Sequence, residues 1–311
     1  MRKFNGPLPT GVTRHSDTGD GDNAPLAISF AMLAVIAGVG MDVFGKLATG
    51  EAGEWQIVLL RWGYAVAIMA MMLPVMGVGQ LFRGGAKAHV IRAVLNIGAS
   101  FALYYALARL PLSVVLSIFF LELVFATAFA GPLLGERVKP RRWLGVVAAF
   151  FGVLVMTEPW NDASGLALLP VAMALAGAAA WGLVHVATKK YGGGNSTFSL
   201  MFWLGTTSAV MATPGAVLDW RPIGLDTHAA LFGVAVCGSL YSVFWIKGLK
   251  IAPASLMASI GFLTVPMAFL AGYVIFGEVP TPAIIAGAAI VVAAVWLATS
   301  KARRREGPAV S

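Results

Sequence analysis

The sequence predicts an all-α membrane protein with ten transmembrane helices in two inverted five-helix repeats. Three observations support this: an apolar composition, ten apolar segments and an internal repeat. Of the 311 residues, 59% are hydrophobic and 12% are charged. Soluble domains have about 45–50% apolar and about 25% charged residues, so the composition excludes an ordinary soluble enzyme and a disordered chain. Ten spans of about 20 residues each leave about 100 residues for loops and tails.

The ten apolar segments follow one another with proline or glycine in most connections. They lie at 25–47, 55–78, 90–108, 112–134, 142–157, 165–188, 197–219, 228–247, 253–275 and 281–300. We expect 25–157 and 165–300 to be the two repeats. Residues 1–24 are predicted to form a disordered cytoplasmic tail, and residues 301–311 a basic cytoplasmic tail.

The basic residues predict the orientation of the helices. With the N-terminus in the cytoplasm, the cytoplasmic segments contain 18 of the 22 Lys and Arg residues, and the outer segments contain three. The remaining one, Arg61, lies within a helix. Cytoplasmic loops of membrane proteins carry an excess of Lys and Arg. The sequence therefore predicts a multi-pass protein of the plasma or bacterial inner membrane with both termini cytoplasmic. This topology explains the net charge of +8 without nucleic acid.

An internal repeat relates residues 102–157 to residues 244–299 at a constant offset of 142. The coinciding residues include Pro111 with Pro253, Ser113 with Ser255, Gly135-Glu136 with Gly277-Glu278, Pro140 with Pro282 and Gly145 with Gly287. Five helices per repeat is an odd number, so the two halves insert with opposite orientation. Inverted repeats are typical of transporters that rock two bundles about a site near the bilayer midplane.

The signals of other function classes are missing from the sequence. It has no Gly-x-x-x-x-Gly-Lys-Ser/Thr phosphate loop and neither a His-Glu-x-x-His motif nor a cysteine-pair metal site. We therefore expect no catalytic residues, no metal and no cofactor.

Short motifs along the chain resemble the drug/metabolite transporter superfamily, of the EamA type, from about residue 28 to residue 300. The motifs are Met41-Asp42 through Lys46, Arg61, Arg92, Tyr105-Ala106-Leu107, Leu110-Pro111-Leu112-Ser113, Gly135-Glu136-Arg137-Val138, Arg142-Trp143-Leu144-Gly145 and Gly277-Glu278. The Asp–Lys pair and the Tyr-Ala-Leu segment are most similar to the branch that holds riboflavin and S-adenosylmethionine importers.

The resemblance implies secondary transport of a small organic metabolite by alternating access, with proton coupling as one option. The expected partners are this metabolite and the lipid bilayer, and the chain is expected to be a monomer or a homodimer. Four alternatives stay open: import of a vitamin or nucleoside-type solute, export of amino acids or drugs, a membrane scaffold without transport, and a membrane-embedded enzyme, for which only Glu122 with His185 could be the catalytic pair.

Glu122 departs from the family pattern, in which the fourth helix commonly carries a proline about a dozen residues before Gly-Glu. The second repeat keeps its proline as Pro266, and Thr264 is the partner of Glu122. Glu122 lies about 15 Å into its span at 1.5 Å per residue. An intramembrane carboxylate marks a functional site by default. It could bind a cationic substrate group or carry protons, or it could be a protonated structural carboxyl.

Two charged residues lie at similar depths in the first two helices. Arg61 could pair with Asp42, which would make both structural, or its planar fork could bind an anionic substrate group. Lys46 lies four residues after Asp42 and so on the same face, where it could extend to the interface. His185 coincides with Asp42 at an offset of 143 and could take part in proton coupling or be a structural histidine.

The remaining candidate residues are aromatic or neutral polar side chains within the spans. The aromatic residues could stack on a planar ligand, and the polar ones could bind substrate or form hydrogen bonds between helices. They are Tyr104, Tyr105, Trp181, Tyr241, Trp245, Thr264 and Asn96.

Overall fold

The structure is a computed structural model that describes residues 24–77, 79, 81, 86–135, 140–158, 167–191, 196–251, 257 and 260–299. The regular structure within these ranges is helical, and no strand occurs in them. The predicted tails 1–24 and 301–311 lie outside the described residues, except for Ala24.

The described helices, in chain order, are α1 Ala24–Ala48, α2 Glu54–Met71, α3 Leu73–Met76, α4 Ala86–Leu107, α5 Leu112–Phe119, α6 Glu122–Leu134, α7 Pro140–Thr157, α8 Leu168–Tyr191, α9 Thr197–Leu218, α10 Leu225–Ile251, α11 Thr264–Phe276 and α12 Pro282–Thr299. Six helical stretches of the described chain are long and apolar enough to cross a membrane: Pro25–Ala48, His89–Leu107, Leu112–Leu134, Leu168–Tyr191, Phe198–Leu218 and Leu225–Gly248. Shorter apolar helices cover Trp143–Thr157, Thr264–Phe276 and Pro282–Leu297. The predicted ten-helix architecture is confirmed.

The second predicted segment is shorter than expected. It was placed at 55–78, but α2 ends at Met71 and the short helix α3 follows. Pro74 lies in the first turn of α3. Proline is tolerated there because the first N–H groups of a helix have no hydrogen-bond partner within the helix.

The fourth span consists of two helices, because α5 ends at Phe119 and α6 begins at Glu122. The ninth span has its equivalent junction immediately before Thr264. Phe120 and Phe262 occupy equivalent positions of the two repeats, and their rings meet edge to face with centroids 5.2 Å apart. The two junctions therefore contact each other at equivalent residues.

The main packing pairs follow the same two-fold relation. Helix α1 packs along α10, and α4 packs along α8. Helices α1 and α8 are the first helices of their repeats, and α4 and α10 are the third helices. Each of these two pairs therefore joins the first helix of one repeat to the third helix of the other. Helix α2 packs along α9 and α7 along α12, and each of these pairs joins equivalent helices.

The contact between α7 and α12 depends on glycine. A Cβ atom built on Gly287 would lie 2.6 Å from the carbonyl oxygen of Gly152 and 2.6 Å from the Met156 backbone nitrogen. Small residues let transmembrane helices approach this closely. The α7–α12 pair therefore joins the two repeats through backbone contact.

One end of the bundle, which we call the Lys46 end, contains residues 46–56, 107–112, 219–227 and 276–282. Side chains tie its segments together. The buried Gln56 side chain donates a hydrogen bond to the Arg221 carbonyl (2.9 Å). The exposed Glu51 carboxylate accepts hydrogen bonds from the Thr227 hydroxyl (2.5 Å) and the Gly224 N–H (3.1 Å). A carboxylate at the start of α10 also interacts favourably with the helix dipole.

We predict that Gly287→Ala lowers the thermal stability of the purified protein. The added methyl group forces α7 and α12 apart, and overpacking of this kind costs roughly 1–3 kcal/mol. Gly63→Ala is the matched control, because nothing lies within 4 Å of a Cβ built there. A thermal unfolding series in detergent measures both; equal midpoints for the two variants would contradict close α7–α12 packing.

We predict that the Glu51 carboxylate stabilises the fold near neutral pH and that this contribution is lost at acidic pH. The Thr227 hydroxyl and then the Gly224 N–H hold the pKa of Glu51 below its ordinary value of 4.5. A lowered folded-state pKa gives stability that is present above the unfolded pKa and is lost as pH falls through the folded pKa. The unfolding midpoint of Glu51→Gln should therefore lie below that of the parent at about pH 6 and approach it below about pH 4. Thr227→Val should behave likewise, and a gap independent of pH would contradict the assignment.

Candidate functional site

Six polar side chains from six helices come close together inside the bundle, and we call them the interior polar cluster. Asp42 lies within electrostatic range of Arg61 and Glu122, and Tyr241 lies within range of both carboxylates. The members are Asp42 of α1, Arg61 of α2, Tyr104 of α4, Glu122 of α6, His185 of α8 and Tyr241 of α10.

Arg61 is the buried cation of this cluster, with 8% of the residue exposed. Its guanidinium carbon lies 4.7 Å from the centroid of the Trp62 ring and 5.8 Å from that of Tyr104. Nη2 contacts the sulfur of Met41 at 3.6 Å. The Tyr104 hydroxyl also interacts with the Arg61 guanidinium. Nη1 is buried and has no hydrogen-bond partner among the residues that the structure describes. A buried charged donor without an acceptor is unfavourable, so this atom is the feature of the cluster that most needs a ligand.

Asp42 and Arg61 do not form the ion pair considered from the sequence. They interact electrostatically, but the ion pairs between described residues do not include Asp42. Asp42 therefore lies within electrostatic range of Arg61 without contacting it, and it leaves the Nη1 donor of Arg61 open.

Glu122 and His185 bring the two repeats together at the cluster. His185 Nε2 lies 3.6 Å from Glu122 Oε1, and the side chains are 54% and 27% exposed. Helix α8 approaches this point closely because Gly182 lies against the Glu122 carbonyl and the backbone of Ala126. The two groups are accessible, whereas Arg61 is buried, so the cluster is open on its α6–α8 side.

Two aromatic side chains of α10 extend the cluster. The rings of Tyr241 and Trp245 stack with centroids 5.9 Å apart and an interplanar angle of 21°. Gly38 of α1 lies against Tyr241, and Gly261 lies against Trp245. The half-buried Thr264 begins α11 at the junction of the ninth span. The stacked pair offers an apolar wall beside the charged groups.

Asn96 and Trp181 are joined in a separate chain of hydrogen bonds. Trp181 Nε1 donates to Asn96 Oδ1 (3.1 Å), and Asn96 Nδ2 donates to the Ser208 hydroxyl (3.0 Å). This chain links α8, α4 and α9. The polar groups of Asn96 and Trp181 both form hydrogen bonds between helices. This favours a structural role for the two residues over substrate binding.

Tyr105 and Lys46 lie apart from the cluster, at or near the Lys46 end. The Tyr105 ring centroid is 3.7 Å from the guanidinium carbon of Arg109, which pairs with Glu54. Lys46 Nζ pairs with Glu278 at 2.5 Å. Consecutive helical residues point about 100° apart, so Tyr104 faces Arg61 while Tyr105 does not.

Three contact residues of these sites were not predicted from the sequence: Met41 and Trp62 beside Arg61, and Glu278 beside Lys46. Met41 and Trp62 are next to Asp42 and Arg61 in the sequence. Both are apolar residues in apolar segments, so nothing in the sequence marks them as contacts of Arg61. Glu278 did carry one, because Gly277-Glu278 repeats Gly135-Glu136, but the repeat gave no partner for it. Within the described ranges, no group of three or more His, Cys, Asp or Glu side chains could hold a metal ion.

Comparison with known protein families gives a match over nearly the whole chain. The sequence profile described as the EamA-like transporter family matches residues 25–158 and again residues 168–300. The profile thus covers both halves that the internal repeat defines.

Similar proteins of known name include a transporter, an uptake transporter and an exporter. A riboflavin transporter of Vibrio cholerae is 28% identical over 90% of this chain and 93% of its own length. An S-adenosylmethionine uptake transporter of Rickettsia prowazekii is 23% identical over 86% of this chain and 90% of its own. The pseudopaline exporter CntI of Pseudomonas aeruginosa is 25% identical over 86% of this chain and 94% of its own.

A solved crystal structure of a protein has the same fold. It superposes with a TM-score of 0.61 over 88% of this chain and 97% of its own, at 18% sequence identity. At this identity the likeness concerns the fold alone.

We predict that Asn96→Ala destabilises the protein, because it leaves Trp181 Nε1 without its acceptor and Ser208 without its donor. Loss of a partner to a buried polar group costs about 1–3 kcal/mol. The control is Ser239→Ala, which removes a hydroxyl bonded only to the Ala235 carbonyl of its own helix. Thermal unfolding in detergent measures both, and equal midpoints would contradict a structural role for Asn96.

Proposed function

The chain belongs to the EamA-like transporter family, and on that premise we propose that it moves a small organic metabolite by alternating access through the interior polar cluster. It is a multi-pass integral membrane protein and a transporter rather than an enzyme. We also propose the residues that bind the solute, the chemical class of the solute and the direction of transport.

The unpartnered Nη1 of Arg61 is the observation that carries the proposal. A guanidinium held against two aromatic rings and lacking one acceptor is arranged to receive a carboxylate, phosphate or carbonyl oxygen. Such a group would accept a hydrogen bond from Nη1 of Arg61. It would thereby remove the free-energy cost of burying a donor without an acceptor. Binding at the cluster therefore stabilises the protein as well as selecting the solute.

The remaining groups of the cluster suggest the rest of the solute. The Tyr241–Trp245 stack suits a planar ring, and Asp42 and Glu122 suit a positively charged group. A vitamin or nucleoside-type solute combines such features. The riboflavin transporter among the similar proteins supports a solute of this class, and the S-adenosylmethionine uptake transporter supports its uptake. The pseudopaline exporter supports the alternative of export.

We orient the protein with the Lys46 end outside and both termini in the cytoplasm. The distribution of Lys and Arg supports this orientation, since 18 of the 22 fall in the segments that the sequence predicts to be cytoplasmic. In this orientation the stacked rings of α10 and the exposed His185 lie closer to the cytoplasm than Arg61 does.

Glu122 and His185 are the pair we propose for proton coupling. Their 3.6 Å contact joins the two repeats, and both groups are accessible, so either can exchange a proton when the cluster is open. Proton uptake by Glu122 would weaken this contact between repeats and so couple protonation to rocking. Solute flux in proteoliposomes that is unchanged by an imposed proton gradient would contradict coupling.

We predict that a bound solute stabilises the purified protein and that Arg61→Gln removes this effect. A ligand that binds only the folded state raises the unfolding midpoint by mass action. The panel contains riboflavin, S-adenosylmethionine, amino acids and polyamines. Replacing Arg61 should weaken the effective solute about tenfold or more, since charge-assisted hydrogen bonds are worth about 1.5–3 kcal/mol. Glu122→Gln should weaken solutes that carry a positive charge.

Arg109→Gln is the matched control, because Arg109 is an exposed arginine whose contacts are Glu54, Tyr105 and the Tyr105 carbonyl. Its ligand response should equal that of the parent. A response that survives both Arg61→Gln and Glu122→Gln would place the binding site elsewhere. No response to any solute class, together with no flux in proteoliposomes, would support the scaffold alternative.

A further inference from the structure

We propose that Lys46 and Glu278 form a latch that holds the Lys46 end closed and opens in each transport cycle. The latch consists of these two side chains with the carbonyl of Leu110 and the N–H of Leu112. The inference rests on the alternating access proposed above, and it concerns residues outside the interior polar cluster.

The latch satisfies every strong hydrogen-bonding atom that it contains. Lys46 Nζ donates to Glu278 Oε1 at 2.5 Å and to the Leu110 carbonyl at 2.7 Å. The Leu112 N–H donates to Glu278 Oε2 at 2.8 Å. Leu112 is the first residue of α5, so the carboxylate also lies at the positive end of that helix. One acidic side chain thus binds two separate segments at once.

These contacts cross between the two repeats. Lys46 is near the end of α1, and the Leu110–Leu112 segment connects α4 to α5, all in the first repeat. Glu278 follows α11 in the second repeat. Rocking of one repeat against the other would therefore stretch this group of contacts, whereas an ion pair within one repeat would move as a unit.

Glycine residues set the position of Glu278. Gly277 has φ +66°, the left-handed conformation that ends α11 and that favours glycine. The chain turns there, and the Glu278 N–H donates to the Gly272 carbonyl at 3.0 Å. The carboxylate then lies over Gly272, where a Cβ would be 2.6 Å from Oε2. The repeated Gly-Glu motif thus directs this carboxylate toward the first repeat.

The burial of the pair fits a contact that is stable but reversible. The Lys46 and Glu278 side chains are only 15% and 16% exposed, so water screens their attraction less than at an open surface. A surface cleft lined by Thr49, Arg109 and Phe276 lies beside them. When the pair separates, water in this cleft can solvate both charges.

The burial of side chains along α10 supports closure of the Lys46 end. Toward the Lys46 end, Leu231 and Val234 are 0% and 1% exposed. Further along, Leu240, Tyr241 and Val243 are 41%, 37% and 42% exposed. Among the described residues of α10, the buried apolar side chains therefore lie on the side of the latch, although Phe232 there is 50% exposed.

The test measures access to the cluster from the Lys46 side. The chain has one cysteine, so Cys237→Ser with Tyr241→Cys provides a single reporter. In oriented membrane vesicles, a membrane-impermeant thiol reagent is applied to the Lys46 side. We expect Glu278→Gln to raise the labelling rate about fivefold or more, which corresponds to about 1 kcal/mol in the closed–open equilibrium. The glutamine oxygen can still accept from the Leu112 N–H, which favours folding of this variant.

A double-mutant cycle separates the latch from general loosening. Lys46→Met should raise the rate by a similar factor, and the double variant should exceed neither single variant by more than about twofold, because contacting residues are not additive. The matched control is Glu54→Gln, which removes the 2.6 Å pair with Arg109 inside the first repeat and should label at the parental rate.

Two results would overturn the latch. A rate for Glu278→Gln within about twofold of the parent, or additive effects of the two single variants, would show that the pair does not hold this end closed. No labelling from the Lys46 side in any variant, with labelling from the opposite side intact, would instead contradict alternating access itself and the latch with it. No solute is needed for the measurement, so failure to identify a substrate does not affect it.

Discussion

The burial of charge in an apolar bundle is the constraint on which this structure depends. Ionised groups inside a membrane protein persist only where partners or water stabilise them. Arg61 has two aromatic rings, a sulfur atom and distant carboxylates, but no acceptor for Nη1. Lys46 donates to two acceptors, the Glu278 carboxylate and the Leu110 carbonyl. We propose that Arg61 binds the solute and that Lys46 holds one end of the bundle closed. This difference separates a binding role from a closing role.

The inverted repeat explains why both features lie between the two halves. Contacts between equivalent elements, such as Phe120 with Phe262 and α2 with α9, join the repeats along their two-fold relation. Glu122 meets His185, and Lys46 meets Glu278, each across that same boundary. In the proposals made here, binding, coupling and closure depend on one relative movement of the repeats. Such an arrangement lets a change at one contact affect the others without a separate moving domain.

The sequence predicted the helices and the repeat well, and the site only in part. Apolar length and Gly or Pro positions indicate spans, and coinciding residues such as Gly135 and Gly277 indicate the repeat; both of these end their helices with positive φ. Helices that are apolar on all sides carry little periodicity to show which face points inward. For that reason Tyr104 and Tyr105 were indistinguishable in sequence, although only Tyr104 contacts Arg61. The pairing of Lys46 with Glu278, 232 residues apart, required the three-dimensional structure.

Solute flux through the reconstituted protein tests the central claim most directly. Proteoliposomes containing the parent protein or Arg61→Gln, at equal reconstitution and orientation, are assayed for accumulation of radiolabelled riboflavin, S-adenosylmethionine and amino acids. We predict saturable accumulation of one of these classes by the parent, above empty liposomes, and its loss in Arg61→Gln. Accumulation that is equal in the two proteins would contradict binding of the solute at Arg61.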